Sequence, residues 1–242
     1  MLEDIYPNVR ALKGEARFFD EHYDEGIESY TRNLPAMENP NDVIIEKSPQ
    51  YFTRSGVPSR IYKDSPKSKL ILIVCDPVRR VFSNLVQRQS VRFISERKNF
   101  LKYLTSPDGT LRTNKIVLKR NQYDKHIKPW LNLFPREQIL IINGQGLVEN
   151  PYSEVVKVEN FLGLPNLVKN TTFLNNTKTN FPCWISYKGK NCIDLAIKGI
   201  KHPETKDEVK ILVDKLRENF IPRNMEFFNL TGITFNWPMN KA

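Results

Sequence analysis

The residues best suited to hold an anion stand in the run Asp76-Pro77-Val78-Arg79-Arg80-Val81-Phe82-Ser83. Five aliphatic residues, Leu70 to Val74, precede it, and Val81, Phe82 and Leu85 recur at helical spacing within and after it. That order spells a strand, a sharp turn and a helix, with Pro77 in the first turn, where a missing N–H costs little. Free backbone N–H groups at a helix start favour negative charge, and Arg79, Arg80 and Ser83 add side-chain donors there. Ligands of α/β proteins bind beyond the carboxyl ends of parallel strands, which is where this turn falls. A plainer assignment is equally open, in which Asp76 only caps the helix and the arginines face water. Lys47 follows the short aliphatic run Val43-Ile44-Ile45 and so takes the same topological position as Asp76. Glu15, in Gly14-Glu15-Ala16-Arg17-Phe18-Phe19-Asp20, is either a solvated carboxylate or a working one. Lys198-Gly199-Ile200-Lys201-His202 sets three basic groups and a glycine in a run that can wrap an anion.

The elements that position these groups follow from periodicity. An unbroken aliphatic strand at Leu70–Val74 is expected to be buried on both faces, as in a parallel sheet. Val43 to Ile45 and Ile139 to Ile142 are further buried strands, while Met1 to Val9 supplies no first strand. Helices are expected around Tyr23 to Asn33, Gly56 to Tyr62, Leu118 to Phe134, Tyr152 to Leu162 and Pro203 to Phe220. The Phe18-Phe19 pair reads as core. Residues 164–203 read as a long loop region, and the aromatic tail from Asn224 to Trp237 is expected to fold back on the body. The order is α/β throughout.

With 242 residues and 40% hydrophobic content, the chain reads as a single domain over 1–242. Its net charge is +10, unevenly spread: residues 1–50 carry five basic and eleven acidic side chains, and residues 51–242 carry 32 and 16. Such a balance points to polyanions: nucleic acid, acidic lipid or acidic glycan. No transmembrane run, signal peptide or zinc-type cysteine cluster is present, and no Gly-x-x-x-x-Gly-Lys-Ser/Thr motif, which excludes a nucleoside or shikimate kinase. Cys183 and Cys192 lie nine apart, and either close a hairpin-like loop as a disulfide or are two free thiols. A disulfide would place maturation in an oxidising compartment. Sequons at Asn170, Asn175 and Asn229 are compatible with that route.

Taken together these blocks resemble one family, the heparan sulfate glucosamine 3-O-sulfotransferases among the Golgi glycan sulfotransferases. The resemblance rests on Gly14 to Asp20, Glu46-Lys47-Ser48-Pro49-Gln50-Tyr51-Phe52, Asp76 to Ser83, Tyr123 to Pro135, the Cys183/Cys192 pair, and Lys198-Gly199 with His202-Pro203, in the family's order and near its spacing. It implies a P-loop-like parallel sheet flanked by helices. It also implies a sulfuryl donor, 3′-phosphoadenosine 5′-phosphosulfate, an acceptor hydroxyl on glucosamine in heparan sulfate or heparin, no metal, and a Golgi lumen setting with a membrane anchor in full-length members. By the same resemblance Glu15 is the base, Lys47 lies by the transferred group, and Ser83 binds the nucleotide 3′-phosphate. Lys198 and Gly199 then close over the nucleotide, Asp20 lines the acceptor cleft, and Cys183 pairs with Cys192.

The chain also departs from that pattern. The family's opening strand and Lys-Gly-Gly-Thr-type loop are not matched, so the domain is expected to be incomplete at its N-terminus. Cys75 stands where the family has an arginine on the 3′-phosphate, leaving Arg79 or Arg80 to compensate. Ile200 replaces another arginine, and Arg17 replaces a histidine beside the base, keeping a cation near the acceptor. These departures predict weak donor binding and little turnover. A catalytically impaired heparan sulfate-binding homologue is therefore the alternative to an active transferase, and a nucleic-acid binder, supported by charge alone, is a weaker third.

Overall fold

The computed structural model describes residues 1–90, 100–176, 181–192 and 207–239. In chain order its strands and α-helices are α1 (Leu2–Ile5), β1 (Val9–Ala11), α2 (Ile27–Asn33), β2 (Val43–Ile45), α3 (Val57–Asp64), β3 (Leu70–Val74), α4 (Pro77–Ser90), α5 (Phe100–Leu104), α6 (Ile116–Lys119), α7 (Tyr123–Leu131), β4 (Ile139–Asn143), α8 (Gly146–Glu149), α9 (Pro151–Leu162), β5 (Phe173–Leu174), β6 (Cys183–Ser186), β7 (Gly189–Cys192) and α10 (Asp207–Thr231). The fold is α/β, with parallel strand pairs and helices. The chain divides into two compact units, Met1–Val74 with Pro129–Ala196, and Cys75–Lys128 with Ile197–Ala242.

In the first unit β1 runs parallel to β2, with Val9 opposite Val43, and β3 runs parallel to β4, with Leu70 opposite Ile139. A first strand therefore does exist at the end of the N-terminal stretch. Its three residues gave too short a signal against the helical turn before it. A buried cluster of Ile5, Tyr6, Val9, Val155, Leu164 and Val168 joins α1 and β1 to α9. Glu159 on α9 lies inside it, 1% exposed, and accepts from the Tyr6 hydroxyl and from the N–H groups of Leu167 and Val168, each 2.9 Å away. Gly163 ends α9 at φ +75°, a left-handed turn that suits glycine.

Two expectations are corrected here. Leu70 to Val74 is a strand, but it is not buried on both faces: Ile71 and Ile73 are 37% and 54% exposed. Among the described residues β3 pairs only with β4, and the alternate side chains are left partly open to solvent. Nor is residues 164–203 simply loop, since β5, β6 and β7 form an antiparallel sheet. Cys183 faces Cys192 across β6–β7, and the two are bonded with S–S at 2.09 Å.

The second unit is helical. Val78, Val81, Phe82 and Leu85 of α4 meet Leu104, Val117, Leu118, Leu212, Leu216 and Phe220 in one buried cluster. The last helix extends past Phe220, through Pro222, to Thr231. Beyond it Phe235 and Trp237 close on Phe227 and Phe228, with Trp237 5.3 Å from Phe228.

Candidate active site

Two loops of the first unit build the constellation. One follows β1, from Leu12 to the π-turn Phe18–His22; the other follows β2, from Glu46 to Tyr51. The parallel pairing of β1 with β2 brings their carboxyl ends side by side, so the loops emerge together. The second loop then holds the first by side chain to backbone. Ser48 Oγ accepts from Arg17 N at 3.0 Å, the Tyr51 hydroxyl accepts from Phe19 N at 3.3 Å, and Glu46 accepts from Ala16 N. Phe18 and Phe19, each 3% exposed, anchor the loop from below among Tyr23, Tyr30 and Tyr51. From α3, Arg60 Nη1 donates to Phe19 O at 2.8 Å, with its guanidinium 4.7 Å over the Tyr23 ring.

The result is a contact across 32 residues of chain: Lys47 Nζ lies 2.6 Å from Glu15 Oε1. The carboxylate and the ammonium are 37% and 69% exposed, so both can reach a ligand. Beside them Arg17 takes φ +51°, the one positive φ outside glycine among the described residues. Backbone in that region is held by its surroundings and tends to mark working sites. The Arg17 guanidinium pairs with Glu21, but its Nε is buried without a hydrogen-bond partner. Both carboxylate oxygens of Asp20 are in the same condition. Buried polar atoms without partners cost about 1–3 kcal/mol each. A donor and an acceptor left so, three residues apart beside Glu15, leave hydrogen-bonding capacity for a polar ligand.

Burial pushes the Glu46 carboxyl above its usual range, against the pull of hydrogen bonds from Ser48, Tyr51 and Ala16 N, while the nearby Asp20 charge adds to the rise. Burial likewise pushes Tyr51 up to about 12. Glu46, Ser48 and Tyr51 had no role in the reading of the sequence beyond membership of a motif block. Their signal was present in that block, but hydrogen bonds to a distant backbone leave no periodic trace.

The second unit carries the other expected anion site. Asp76 Oδ1 accepts from Val78 N at 2.9 Å, so the capping assignment holds for that residue. Burial raises the Asp76 carboxyl, with Arg217 and Arg79 drawing it back. Arg80 is half-buried and donates to the Tyr123 hydroxyl at 3.2 Å; that hydroxyl donates in turn to Cys75 O at 3.1 Å. Arg80 is thus tied into the unit, and burial raises the Cys75 thiol, keeping it neutral. Arg79 is exposed and stands four residues before Ser83 on α4, so the two share a helix face. A guanidinium and a hydroxyl on one face suit a phosphate. Lys198 and Gly199 lie outside the described residues. No helix is long and apolar enough to cross a membrane, and no cluster suited to a metal ion occurs, among the described residues.

Comparison with known proteins sets the class first: a sulfotransferase domain matches residues 10–217. Human heparan sulfate glucosamine 3-O-sulfotransferase 3B1 is 34% identical over 236 residues, which cover 96% of this chain and 59% of that protein. Mouse heparan sulfate glucosamine 3-O-sulfotransferase 5 is 36% identical over 244 residues, covering 97% and 68%. The chain belongs to the sulfotransferase family, in its heparan sulfate glucosamine 3-O-sulfotransferase branch. It spans about three fifths of the length of the first of these relatives. The crystal structure of a sulfotransferase from Alicyclobacillus acidocaldarius matches with a TM-score of 0.62 at 17% identity, over 95% of this chain and 88% of that one. At that identity the likeness speaks for the fold.

Proposed function

We propose that this chain transfers a sulfuryl group from 3′-phosphoadenosine 5′-phosphosulfate to the 3-hydroxyl of a glucosamine unit in heparan sulfate. The observation that carries the reading is the 2.6 Å contact between Lys47 and Glu15, two groups of opposite function brought together from separate loops. The donor supplies an electrophilic sulfur whose bond to the phosphate oxygen breaks as the acceptor oxygen attacks. Glu15 takes the proton of that hydroxyl, which requires direct hydrogen-bond reach. Lys47 steadies negative charge on the oxygens of the transferring group. Arg17 and Asp20, with buried unpartnered atoms, hold the acceptor. Arg79 and Ser83 on α4 hold donor phosphate, with Lys198 and Gly199 assigned to the same task. The Cys183–Cys192 bond supports an oxidising compartment, in keeping with the Golgi lumen.

The test is incubation of the purified chain with donor and heparan sulfate, followed by mass analysis of the disaccharides. New 3-O-sulfate, lost in Glu15→Gln, is the expected result; sulfate at another position, or none, overturns it. One observation favours a second reading, a glycan-binding homologue with a weakened donor site: a neutral Cys75 and an Arg80 already engaged by Tyr123. Calorimetry with 3′-phosphoadenosine 5′-phosphate separates the two, since only the transferase retains donor binding.

A further inference from the structure

The backbone just after Glu15 sends its N–H groups into the loop after β2: Ala16 N donates to Glu46, Arg17 N to Ser48 Oγ at 3.0 Å, and Phe19 N to the Tyr51 hydroxyl at 3.3 Å. The two hydroxyls that accept there also donate, and both donate to the same group. Ser48 Oγ gives its proton to Glu46 Oε1 at 2.5 Å, and the Tyr51 hydroxyl is hydrogen-bonded to Glu46 as well. Every one of these lines from the Glu15 loop therefore ends on one carboxylate. A hydroxyl has a single proton and rotates to suit its partners. With that proton committed to Glu46, the lone pairs of Ser48 and Tyr51 are turned toward Arg17 N and Phe19 N. An ionised carboxylate can accept all of these bonds, because it has two oxygens and no proton of its own.

Glu46 is half-buried. Facing it are Ser48 and Tyr51 from its own loop, Asp20 from the π-turn after Glu15, and Tyr30 from α2, whose hydroxyl is raised by burial first and then by the Glu46 charge. The charge of Asp20 has the same sign as that of Glu46. Burial first, and Asp20 after it, raise the Glu46 carboxyl against the pull of its hydrogen bonds. Protonation turns one of its acceptor oxygens into a donor, and the lines through Ser48 and Tyr51 then lose their common end. We propose that Glu46 is a positioning residue whose ionised form sets the backbone that aims Glu15 at Lys47, so that loss of its charge slackens the pair without removing either member. The inference rests on the reading of Glu15 as the base.

The first measurement needs no turnover. In the isotope-labelled whole chain, the amide resonances of Ala16, Arg17 and Phe19 are followed by NMR as pH falls. They are expected to shift together, with one midpoint above the usual carboxylate range, and to stay still in Glu46→Gln. In Tyr51→Phe, Phe19 alone should leave the group. The second measurement is kcat over the same pH range. Glu46→Gln is expected to lower kcat about tenfold at neutral pH, a loss of the kind a small misplacement brings, with the donor KM changed by about twofold or less. Because the folded Glu46 carboxyl is raised, wild-type kcat falls as pH drops through the amide midpoint, and Glu46→Gln should lose that limb. Glu46→Asp, which keeps the charge, should recover part of the rate. Amides that titrate separately or at the ordinary carboxylate value, a kcat in Glu46→Gln equal to wild type, or an acid limb that survives in that variant overturns the proposal. Amides that titrate together in a chain without sulfuryl transfer uphold the hydrogen-bond cluster and overturn the role given to Glu15.

Discussion

Glu15 and Lys47 owe their meeting to Ser48, Tyr51 and Glu46, whose hydrogen bonds fix the backbone N–H groups of Arg17, Phe19 and Ala16 just after the carboxylate. The ion pair itself is solvent-exposed, and such pairs contribute about 1 kcal/mol or less. Glu15→Gln is therefore expected to lower kcat by about 10² or more while leaving the melting temperature nearly unchanged. A matched loss of both would assign Glu15 to the fold instead. Ser48→Ala should act through position: it frees Arg17 N and lets the Glu15 loop drift, so kcat falls with the donor Kd unaltered. A different residue governs acid stability. Asp42 accepts from Glu38 N at 2.8 Å and Asn39 N at 3.2 Å, with Arg10 Nε at 3.3 Å. These bonds, Glu38 N first, hold its carboxyl below the usual range. Its folded pKa lies below the unfolded one, so its stabilisation is present above the unfolded value and is lost as pH falls through the folded value. Asp42→Asn should flatten the acid side of the stability–pH curve, and an unchanged slope would contradict this. Of these groups, Lys47 was legible from its place after an aliphatic run, while Glu15 and the pairing of the two came only through motif blocks, because 32 residues separate them. The Arg80–Tyr123–Cys75 chain of hydrogen bonds was not legible at all, since no local pattern records which hydroxyl a distant arginine will find.

At the scale of elements, α9 is tied to the residue that follows α1 through Glu159 and Tyr6. Glu159→Ala would leave the Tyr6 hydroxyl and two backbone N–H groups buried without an acceptor, a loss of roughly 3 kcal/mol or more. Tyr6→Phe removes one partner only and should cost about 1 kcal/mol, so urea unfolding of the two variants ranks them. The β6–β7 bond closes a loop of nine residues' separation, and its reduction is expected to cost about 2–3 kcal/mol on the chain-entropy account. Strand and helix positions were well marked in the sequence, because aliphatic runs and helical spacing are local signals. Val57–Asp64, Pro151–Leu162 and Ile139–Asn143 lie within a few residues of expectation. What failed was burial. An unbroken run at Leu70–Val74 says that each side chain is apolar, but not that a neighbouring element covers it. Short polar strands such as Gly189–Cys192 also carry no alternation to read, and only their cysteine paired across the ladder marks them.

For the molecule as a whole, the charge asymmetry sets how it meets a polyanion. Net +16 over residues 51–242 against −6 over residues 1–50 predicts retention on immobilised heparin and an affinity that falls steeply with salt. Duplex DNA should displace it poorly at matched charge, and strong displacement would revive a nucleic-acid role. Two compact units with separate buried clusters raise the question of whether they unfold together. The single-domain reading predicts one calorimetric transition with matching calorimetric and van't Hoff enthalpies, while two resolved transitions would set it aside. One surface will also shape how the protein can be handled. Ile71 and Ile73, partly exposed on β3, present a greasy ridge to solvent. Concentrated solutions should turn cloudy on warming, and Ile73→Thr, which keeps β-branching, should raise the concentration at which light scattering begins.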